Sequence, residues 1–228
     1  MGRLIIVLVE SALELVPRSI INHPSVVKYA RRRGKKADEV LLDRSHHHFA
    51  MRGLPEAERR GRPDIVHLTL LNILGTPLNK RGLLECYVHT RDDKVVVVDP
   101  ETRLPRSYDR FLGLVEQLFR FGVVPVDDHP FMEIKDSTLA QLIRDLMPST
   151  VIGLSVMGPP NPLREICESV SKLAKVMVLI GGFPRGHFSD ETLGVIDSLY
   201  RIHWEGLDSW VVASRVVYQF ELSQGILY

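Results

Sequence analysis

The sequence has few of the features that mark secreted, membrane-spanning or repetitive proteins. Its 228 residues contain two cysteines, Cys86 and Cys167, too few for a disulfide framework, which favours a reducing compartment. No apolar run approaches the roughly 20 residues of a membrane-spanning helix. The apolar segment Leu4–Val9 is too short for a signal sequence, and Glu10 follows it directly. We therefore expect a soluble, cytoplasmic protein that does not contact a membrane.

Two phosphate-binding signatures are also missing. The glycine-rich segment 181–186 does not follow the G-x-G-x-x-G pattern of dinucleotide-binding proteins, and no Lys-Ser/Thr pair follows it. An α/β enzyme that uses a dinucleotide is therefore disfavoured. A simple strand-to-loop turn without a ligand stays open for this segment.

Charge is distributed unevenly along the chain although its net value is only +1. Residues 18–62 contain 12 Lys and Arg against 5 Asp and Glu, whereas residues 121–228 contain 8 against 13. This asymmetry favours an anionic partner, with nucleic acid as the leading candidate, and a solvated surface as the alternative. The basic side chains Arg31, Arg32, Arg33, Lys35 and Lys36 would make diffuse backbone contacts at most.

A strand–helix–strand unit is predicted in the C-terminal third. The apolar runs Val151–Met157 and Val176–Ile180 have the length of buried parallel strands, and residues 162–173 between them have helical spacing. The loops 158–160 and 181–184 then leave the carboxyl ends of strands, where open α/β sheets bind ligands.

A third loop of the same kind follows at Tyr200–Trp210, where another short strand reaches Gly206 and then a helix. Three glycine-marked loops at one sheet edge, with two tryptophans and no phosphate signature, predict an apolar cradle for a small molecule. A nucleoside-like cofactor without phosphates would fit it.

The N-terminal part is predicted to contribute further strands. Leu4–Val9 is typical of a buried strand, and Val40–Leu42 is predicted as its neighbour, which would place Asp43 at a strand end. Leu83–Thr90 and Lys94–Val98 predict a β-hairpin.

The three adjacent histidines at 46–48 do not predict a metal site. Successive residues cannot all point the same way, and no Cys or carboxylate joins them at ligand spacing. We expect no metal, and a role in tying this loop to the sheet is the structural alternative.

Two arginine motifs carry the strongest signals outside the cradle. Pro63 and Asp64 suit the first turn of a helix over residues 62–74, whereas the charge of Arg62 opposes the helix dipole. In the second motif, Arg106 and Arg110 are four residues apart and would share a face if the helix over 108–121 starts there. With Arg103 they form a cluster that calls for an anion, and phosphates or base edges suit the guanidinium fork. Solvated surface arginines are the alternative. A further helix is predicted over residues 137–146.

These motifs resemble one known group of enzymes. Ile180-Gly181-Gly182-Phe183-Pro184-x-Gly186 with Ile202-x-Trp204 resembles the cofactor region of the SPOUT, or α/β-knot, RNA methyltransferases. Together with Arg62-Pro63-Asp64, Asp43-x-Ser45-x-His47 and Arg103-x-Pro105-Arg106-x3-Arg110-Phe111, the chain is similar to the archaeal-type Nep family of ribosomal RNA pseudouridine-N1-specific methyltransferases, from Leu4 to Glu221.

The resemblance implies an α/β fold with a SPOUT-type parallel sheet, a C-terminal trefoil knot and a β-hairpin insertion. One domain would span residues 1–228, with 78–106 as a hairpin and loop extension. The implied activity is S-adenosylmethionine-dependent methylation of N1 of a pseudouridine in small-subunit ribosomal RNA, in ribosome biogenesis. The alternative is an RNA-binding ribosome-assembly factor whose catalytic activity is secondary.

The resemblance also implies site residues. The RNA site would comprise Arg62, Asp64, Arg103, Arg106 and Arg110. No residue stands out as the proton acceptor, and Asp43 and Asp64 are candidates only. The cofactor S-adenosylmethionine would be bound by residues of the three loops and the following helix: Leu154, Gly158, Ile180, Gly181, Gly182, Phe183, Gly186, Ile202, His203, Trp204, Glu205, Gly206, Leu207 and Trp210.

A homodimer is expected next to the cofactor region. An apolar stripe recurs at helical spacing after the third loop, and core packing alone would also explain it. SPOUT proteins commonly dimerise beside the knot, so the resemblance favours an interface. Ribosomal proteins of the small subunit are further candidate partners. The stripe consists of Gly206, Leu207, Trp210, Val211, Ser214, Val217 and Tyr218.

Overall fold

A single mixed sheet forms the centre of the molecule. The computed structural model describes residues 1–126 and 129–226, and within these ranges the sheet has eight strands in the order β4-β5-β3-β2-β1-β7-β6-β8. The strands are β1 (Arg3–Ser11), β2 (Leu84–Thr90), β3 (Lys94–Val98), β4 (Val123–Val124), β5 (Met132–Asp136), β6 (Thr150–Leu154), β7 (Lys175–Gly181) and β8 (Ser198–Tyr200).

Helices cover both faces of this sheet. Four 3-10 turns, Arg18–Ile20, Ala37–Glu39, Ala50–Gly53 and Ala57–Arg59, lie between β1 and the third α-helix. No helix in the described ranges is long and apolar enough to cross a membrane. The α-helices are α1 (Pro24–Arg32), α2 (Arg44–His47), α3 (Pro63–Leu74), α4 (Pro77–Lys80), α5 (Tyr108–Phe121), α6 (Leu139–Leu146), α7 (Leu163–Val170), α8 (Asp190–Leu193) and α9 (Ser209–Ser223).

Strand β1 organises the core because both its edges and both its faces are covered. It pairs in parallel with β2 and with β7, and residues 4–9 are at most 1% exposed. Alternate side chains point to opposite faces. Leu4, Ile6 and Leu8 join the cluster formed with α3, α5, α7 and α9, whereas Ile5, Val7 and Val9 face α6.

Most of the predicted elements are confirmed. Strands β6 and β7 are adjacent and parallel, with α7 between them, although α7 ends at Val170, short of the predicted residue 173. Helices α3 and α5 span the predicted ranges. Helix α6 starts two residues later than expected because Thr138 caps it: its hydroxyl accepts from the backbone N–H of Gln141.

The predicted strand Val40–Leu42 is wrong. Leu41 makes only an isolated antiparallel bridge to Leu15, outside the sheet. Val40 and Leu42 are apolar because they fill a separate small cluster with Val26 and Tyr29 of α1. Asp43 therefore caps α2 and does not end a sheet strand.

The hairpin β2–β3 is confirmed, with an antiparallel register from Cys86↔Val98 to His89↔Val95. Because β2 pairs directly with β1, the hairpin extends the central sheet. Strands β5 and β4 continue the antiparallel part beyond residue 106, the predicted end of the extension. The strand pair β4–β5 is not part of the sequence-based prediction.

Candidate active site

Three loops that leave the carboxyl ends of β6, β7 and β8 line one cavity of about 250 Å³. The cavity therefore lies where the parallel part of the sheet would be expected to bind a ligand. Ten of the residues predicted for the cofactor line it: Leu154, Ile180, Gly181, Phe183, Gly186, Ile202, His203, Glu205, Gly206 and Leu207.

Four residues predicted for the cofactor do not line this cavity. A Cβ on Gly182 would lie 2.1 Å from the hydroxyl of Ser11, and one on Gly158 would lie 2.8 Å from the backbone of Tyr200. These two glycines allow close packing of the loops against their neighbours. Trp204 is 80% exposed, and Trp210 lies on α9, half-buried outside the cavity lining.

Sequence reasoning missed nine lining residues, most of them direct neighbours of predicted positions. Reading each loop as a continuous segment would have found most of them, since the loops line the cavity with several consecutive residues. The missed residues are Ser155, Val156, Pro184, Arg185, His187, Phe188, Asp208, Ser209 and Val212.

The lining fits a positively charged ligand without phosphates. Glu205 and Asp208 contribute carboxylates, and Arg185 is the one Lys or Arg side chain among the lining residues that the structure describes. The carboxylates outnumber this cation, an arrangement that disfavours phosphate and therefore a dinucleotide. Apolar side chains from all three loops complete the walls.

Arg62 and Asp64 form a bidentate ion pair beside the cavity. Nε and Nη2 of Arg62 donate to the two oxygens of Asp64, each over 2.8 Å. This hydrogen bonding raises the pKa of Arg62 further, and Coulomb attraction from Asp64 and from Asp208 adds to it. The N–H of Arg62 donates to the carbonyl oxygen of Ala12 over 3.0 Å, and the N–H of Ala12 donates to that of Gly182 over 2.9 Å, so the pair lies next to a loop that lines the cavity. The side chains of Arg62 and Asp64 are 33% and 34% exposed, so both reach solvent.

The other predicted RNA-binding arginines are all exposed. Arg103, Arg106 and Arg110 have no ion pair among the residues that the structure describes. Arg106 precedes α5, whose N-cap is Ser107, so the expectation that Arg106 and Arg110 share a helical face is wrong. Three exposed guanidiniums without carboxylate partners favour an anionic ligand.

His67 fixes the loop that carries these arginines. Its Nε2–H donates to the carbonyl oxygen of Pro105 over 2.7 Å, and its ring stacks on Phe111 with centroids 4.3 Å apart. Helix α3, whose N-cap is Arg62, thus holds the segment between Arg103 and Arg106. The two arginine motifs are therefore connected through the buried side chain of His67.

The carboxylate of Asp43 is buried and stabilises the local structure through hydrogen bonds. It is 2% exposed, Oδ1 accepts from the N–H of Ser45 over 2.8 Å, and Oδ2 accepts from the hydroxyl of Tyr108 over 2.7 Å. Burial and this hydrogen bond raise the pKa of Tyr108, so the hydroxyl stays a donor. With both oxygens occupied and buried, Asp43 is poorly placed to accept a proton from a substrate.

The histidines at 46–48 also have a structural role. His47 is fully buried, and its Nδ1 accepts from the N–H of Asp43 over 3.0 Å. Burial lowers the pKa of His47 to about 4, so the ring is neutral at pH 7. His46 stacks on Tyr29 with centroids 4.4 Å apart. Across residues 1–126 and 129–226 there is no group of three His, Cys, Asp or Glu side chains that could hold a metal ion.

Part of the basic N-terminal stretch is structural. Arg33 Nη2 and Lys35 Nζ donate to Glu116 Oε2 over 2.9 and 2.5 Å, and the Glu116 side chain is 1% exposed. Its Oε1 accepts from the N–H of Leu41 over 3.2 Å. Arg31 and Arg32 stay exposed. The positive charge available to a nucleic acid is therefore smaller than the sequence indicates.

Comparison with known proteins identifies the family. The model of the EMG1/NEP1 methyltransferase family matches residues 6–221. The chain belongs to this family. Relatives called ribosomal RNA small subunit methyltransferase Nep1 are 45% identical in Pyrococcus furiosus, over 96% of each chain, and 45% identical in Pyrobaculum aerophilum, over 98% of this chain and 100% of the relative.

The family has a close structural counterpart as well. The crystal structure of Archaeoglobus fulgidus Nep1 bound to S-adenosylhomocysteine has a TM-score of 0.87 and 38% identity, over 99% of this chain and 100% of that chain. The resemblance to the EMG1/NEP1 family is thereby confirmed, and so is the mixed α/β fold class that it implied.

Proposed function

We propose that the protein transfers a methyl group from S-adenosylmethionine to N1 of a pseudouridine in small-subunit ribosomal RNA, in ribosome biogenesis. The observation that carries this proposal is the position of Arg62 beside the loop that lines the cavity. Its N–H donates to the carbonyl oxygen of Ala12 over 3.0 Å, and the N–H of Ala12 donates to the carbonyl oxygen of Gly182, between the lining residues Gly181 and Phe183, over 2.9 Å. A cofactor site and an anion site are thus adjacent. The relatives' names support methylation of small-subunit ribosomal RNA, and the S-adenosylhomocysteine-bound Archaeoglobus fulgidus structure supports S-adenosylmethionine as the methyl donor.

The cavity has the groups that such a cofactor requires. S-adenosylmethionine supplies an activated methyl group on a positively charged sulfur. Glu205 and Asp208 would offset that charge, and the apolar walls from Leu154, Ile180 and Ile202 would enclose the nucleoside. Most of the protein's contribution is then positioning, because the methyl group is already activated.

The arginine surface would hold the RNA. Arg62, fixed by Asp64, lies next to the cavity through Ala12 and Gly182, and Arg103, Arg106 and Arg110 would extend the positive surface. Reaching a base in structured RNA favours splaying it out of a loop toward the cavity. Phosphate contacts would set the register, and a guanidinium fork would contact a base edge.

The N1 proton must leave during methylation, and of the two candidates Asp64 is the better placed. A third of its side chain reaches solvent, whereas Asp43 is 2% exposed and holds Tyr108. Asp64 is occupied by Arg62, however, so its main role is to orient that guanidinium.

A homodimer through α9 is a further part of the proposal. One side of α9 is buried in the core by Val212, Val216 and Phe220, and Val217, expected in the interface, belongs to this buried side. Tyr218 is 55% exposed, and Trp210, Val211 and Ser214 are half-buried. This outer side is the surface that a second copy would cover. Light scattering at micromolar concentration would show twice the mass of one chain, and a Tyr218→Asp variant would shift it toward the monomer.

The alternative, an RNA-binding assembly factor, is favoured by one observation: the exposed arginines do not line the cofactor cavity. RNA binding that persists without the cofactor would agree with both functions. Methyl transfer to RNA in vitro, lost in a Gly186→Val variant that still binds RNA, would establish the enzyme. No transfer to any small-subunit RNA fragment would leave only the binding role.

A further inference from the structure

The loop 182–189, which forms one wall of the cavity, is held from outside by two side chains. Among the described residues, none of 183–188 makes a backbone–backbone hydrogen bond. Their one side-chain hydrogen bond comes from Arg59, whose Nη1 donates to the carbonyl oxygen of His187 over 2.9 Å. At the end of the loop, the N–H of Ser189 donates to Glu10 Oε1 over 2.8 Å.

Arg59 contacts this loop at three points. Besides its bond to His187, its Cζ lies 4.2 Å from the centroid of the Phe183 ring, and a Cβ on Gly186 would lie 2.9 Å from its Nη1. Only a planar guanidinium can stack on a ring and donate sideways at the same time. The Phe183 ring in turn lies against Gly181, where a Cβ would be 2.9 Å from it.

Glu10 completes the arrangement. Its Oε2 accepts from Arg59 Nη2 over 2.5 Å while its Oε1 holds Ser189. The backbone of Glu10 is left-handed, with φ of 51°, where the β1–β2 register shifts between Leu8 and Ser11. The left-handed region is unfavourable for a residue other than glycine, and such irregularities often serve to re-aim a side chain.

Neither Arg59 nor Glu10 lines the cofactor cavity; both line a different cavity, of about 480 Å³. They therefore act on the loop without contacting the ligand region. We infer that Arg59, held by Glu10, is a positioning residue for methyl transfer: it fixes the loop 182–189 in the conformation that binds the cofactor. This inference rests on the proposed function, since the ligand of the cavity is taken to be S-adenosylmethionine.

The test uses the full-length variants Arg59→Met, Arg59→Lys and Glu10→Gln. Arg52→Met is the matched control, because Arg52 also belongs to a short 3-10 turn and stacks on an aromatic ring, that of Phe49, at 5.0 Å. Affinity for S-adenosylmethionine is measured by calorimetry, and RNA affinity is measured without cofactor. Amide hydrogen exchange is measured in the free protein at Gly182 and Ser189, the residues of this loop whose N–H groups are hydrogen-bonded.

Losing a charge-assisted clamp should weaken cofactor binding by about 10- to 100-fold in Arg59→Met. Arg59→Lys should not restore it, because an ammonium cannot bridge Glu10, His187 and the Phe183 ring together. Glu10→Gln keeps an acceptor for Ser189 and should show a smaller loss. Exchange should accelerate within the loop only, with RNA affinity unchanged. Arg52→Met should match the wild type in all three measurements.

The outcomes separate this inference from the proposed function. A wild type that fails to bind S-adenosylmethionine overturns the proposed function, whatever the exchange data show. A wild type that binds it, with loop exchange and affinity unchanged in Arg59→Lys and Glu10→Gln, overturns the inference. Should Arg59→Met fail to fold, these two milder variants still decide.

Discussion

Arg62 donates two hydrogen bonds of 2.8 Å to Asp64, one to each carboxylate oxygen, at the first turn of α3. The positive charge of Arg62 opposes the helix dipole, and the carboxylate of Asp64 favours it. The pair as a whole therefore fits the helix N-terminus. The backbone of Arg62 is connected to the cavity loop through Ala12 and Gly182, and α3 is connected to the arginine segment before α5 through His67 and Pro105.

If Asp64 acts by orienting Arg62, the two residues should be coupled. We expect Asp64→Ala to weaken RNA binding, and the double variant with Arg62→Ala to be no weaker than Arg62→Ala alone. A double-mutant cycle of RNA dissociation constants measures this. Losses that simply add would contradict the orienting role. Affinity for S-adenosylmethionine, measured in parallel, should change little.

A substitution of Arg106 can distinguish the effect of its charge from that of its planar guanidinium geometry. Arg106→Lys keeps the charge but loses the planar fork. If Arg106 contacts a base, the change should cost about 1–3 kcal/mol with cognate RNA and leave the salt dependence nearly intact. Arg32→Ala is the counterpart: losing one diffuse phosphate contact should lower the slope of log affinity against log salt by roughly 0.7 without altering site choice. Wild-type affinity of Arg106→Lys for cognate RNA would make this motif a charged surface only.

A substitution at Gly186 tests whether the cavity binds S-adenosylmethionine. Its φ of +99° is a conformation that a branched side chain rarely adopts, and a Cβ here would lie 2.9 Å from Arg59 Nη1, so the guanidinium would have to shift away from the loop. Gly186→Val should lower S-adenosylmethionine affinity by about tenfold or more. Gly82→Val is the control, because Gly82 has a similar left-handed backbone, φ +66°, with no atom within 4 Å of a Cβ. Equal calorimetric constants for wild type and Gly186→Val would remove this loop from the site.

Because His47 is buried in its neutral form, the free energy of unfolding should depend on pH between about 4 and 6.5. Its pKa is lowered to about 4 in the folded protein by burial, so the unfolded chain, with an ordinary histidine pKa of 6.5, binds the proton more readily. The contribution of neutral His47 to the free energy of unfolding is fully present above about pH 6.5 and is lost as the pH falls from 6.5 toward 4. At pH 5 the loss should be about 2 kcal/mol.

Urea unfolding of variants isolates that contribution. His47→Gln should remove about 2 kcal/mol from the difference in unfolding free energy between pH 7 and pH 5. His46→Gln, at the exposed neighbouring histidine, should retain it. Identical pH profiles for wild type and His47→Gln would show that His47 does not carry this effect.

The parallel core was predictable because its strands are continuous apolar runs. β1, β6 and β7 are buried on both faces, and β7 ends at Gly181 as its glycine pair indicates, whereas β6 ends at Leu154, three residues before the predicted Met157. Val40–Leu42 has the same apolar character and nevertheless packs outside the sheet, since short runs do not specify their partner. The two-residue strand β4 carries no periodic signal at all.

The site was predictable as three loops, and less so as individual side chains. Trp204 was expected at the cofactor yet is 80% exposed. Arg59 gave no motif because its role depends on contacts between segments far apart in sequence, such as its hydrogen bond to His187. The trefoil knot stays a prediction of the family resemblance.

The most direct test of the central claim uses two RNA fragments of the small subunit that differ at one nucleotide, pseudouridine in one and uridine in the other. Only pseudouridine has a free N1, because N1 of uridine is bonded to the ribose. With S-adenosylmethionine carrying a deuterated methyl group, mass spectrometry should find one labelled methyl on N1 of the pseudouridine and none on the uridine fragment. Equal labelling of both fragments, or none on either, would contradict the proposed function.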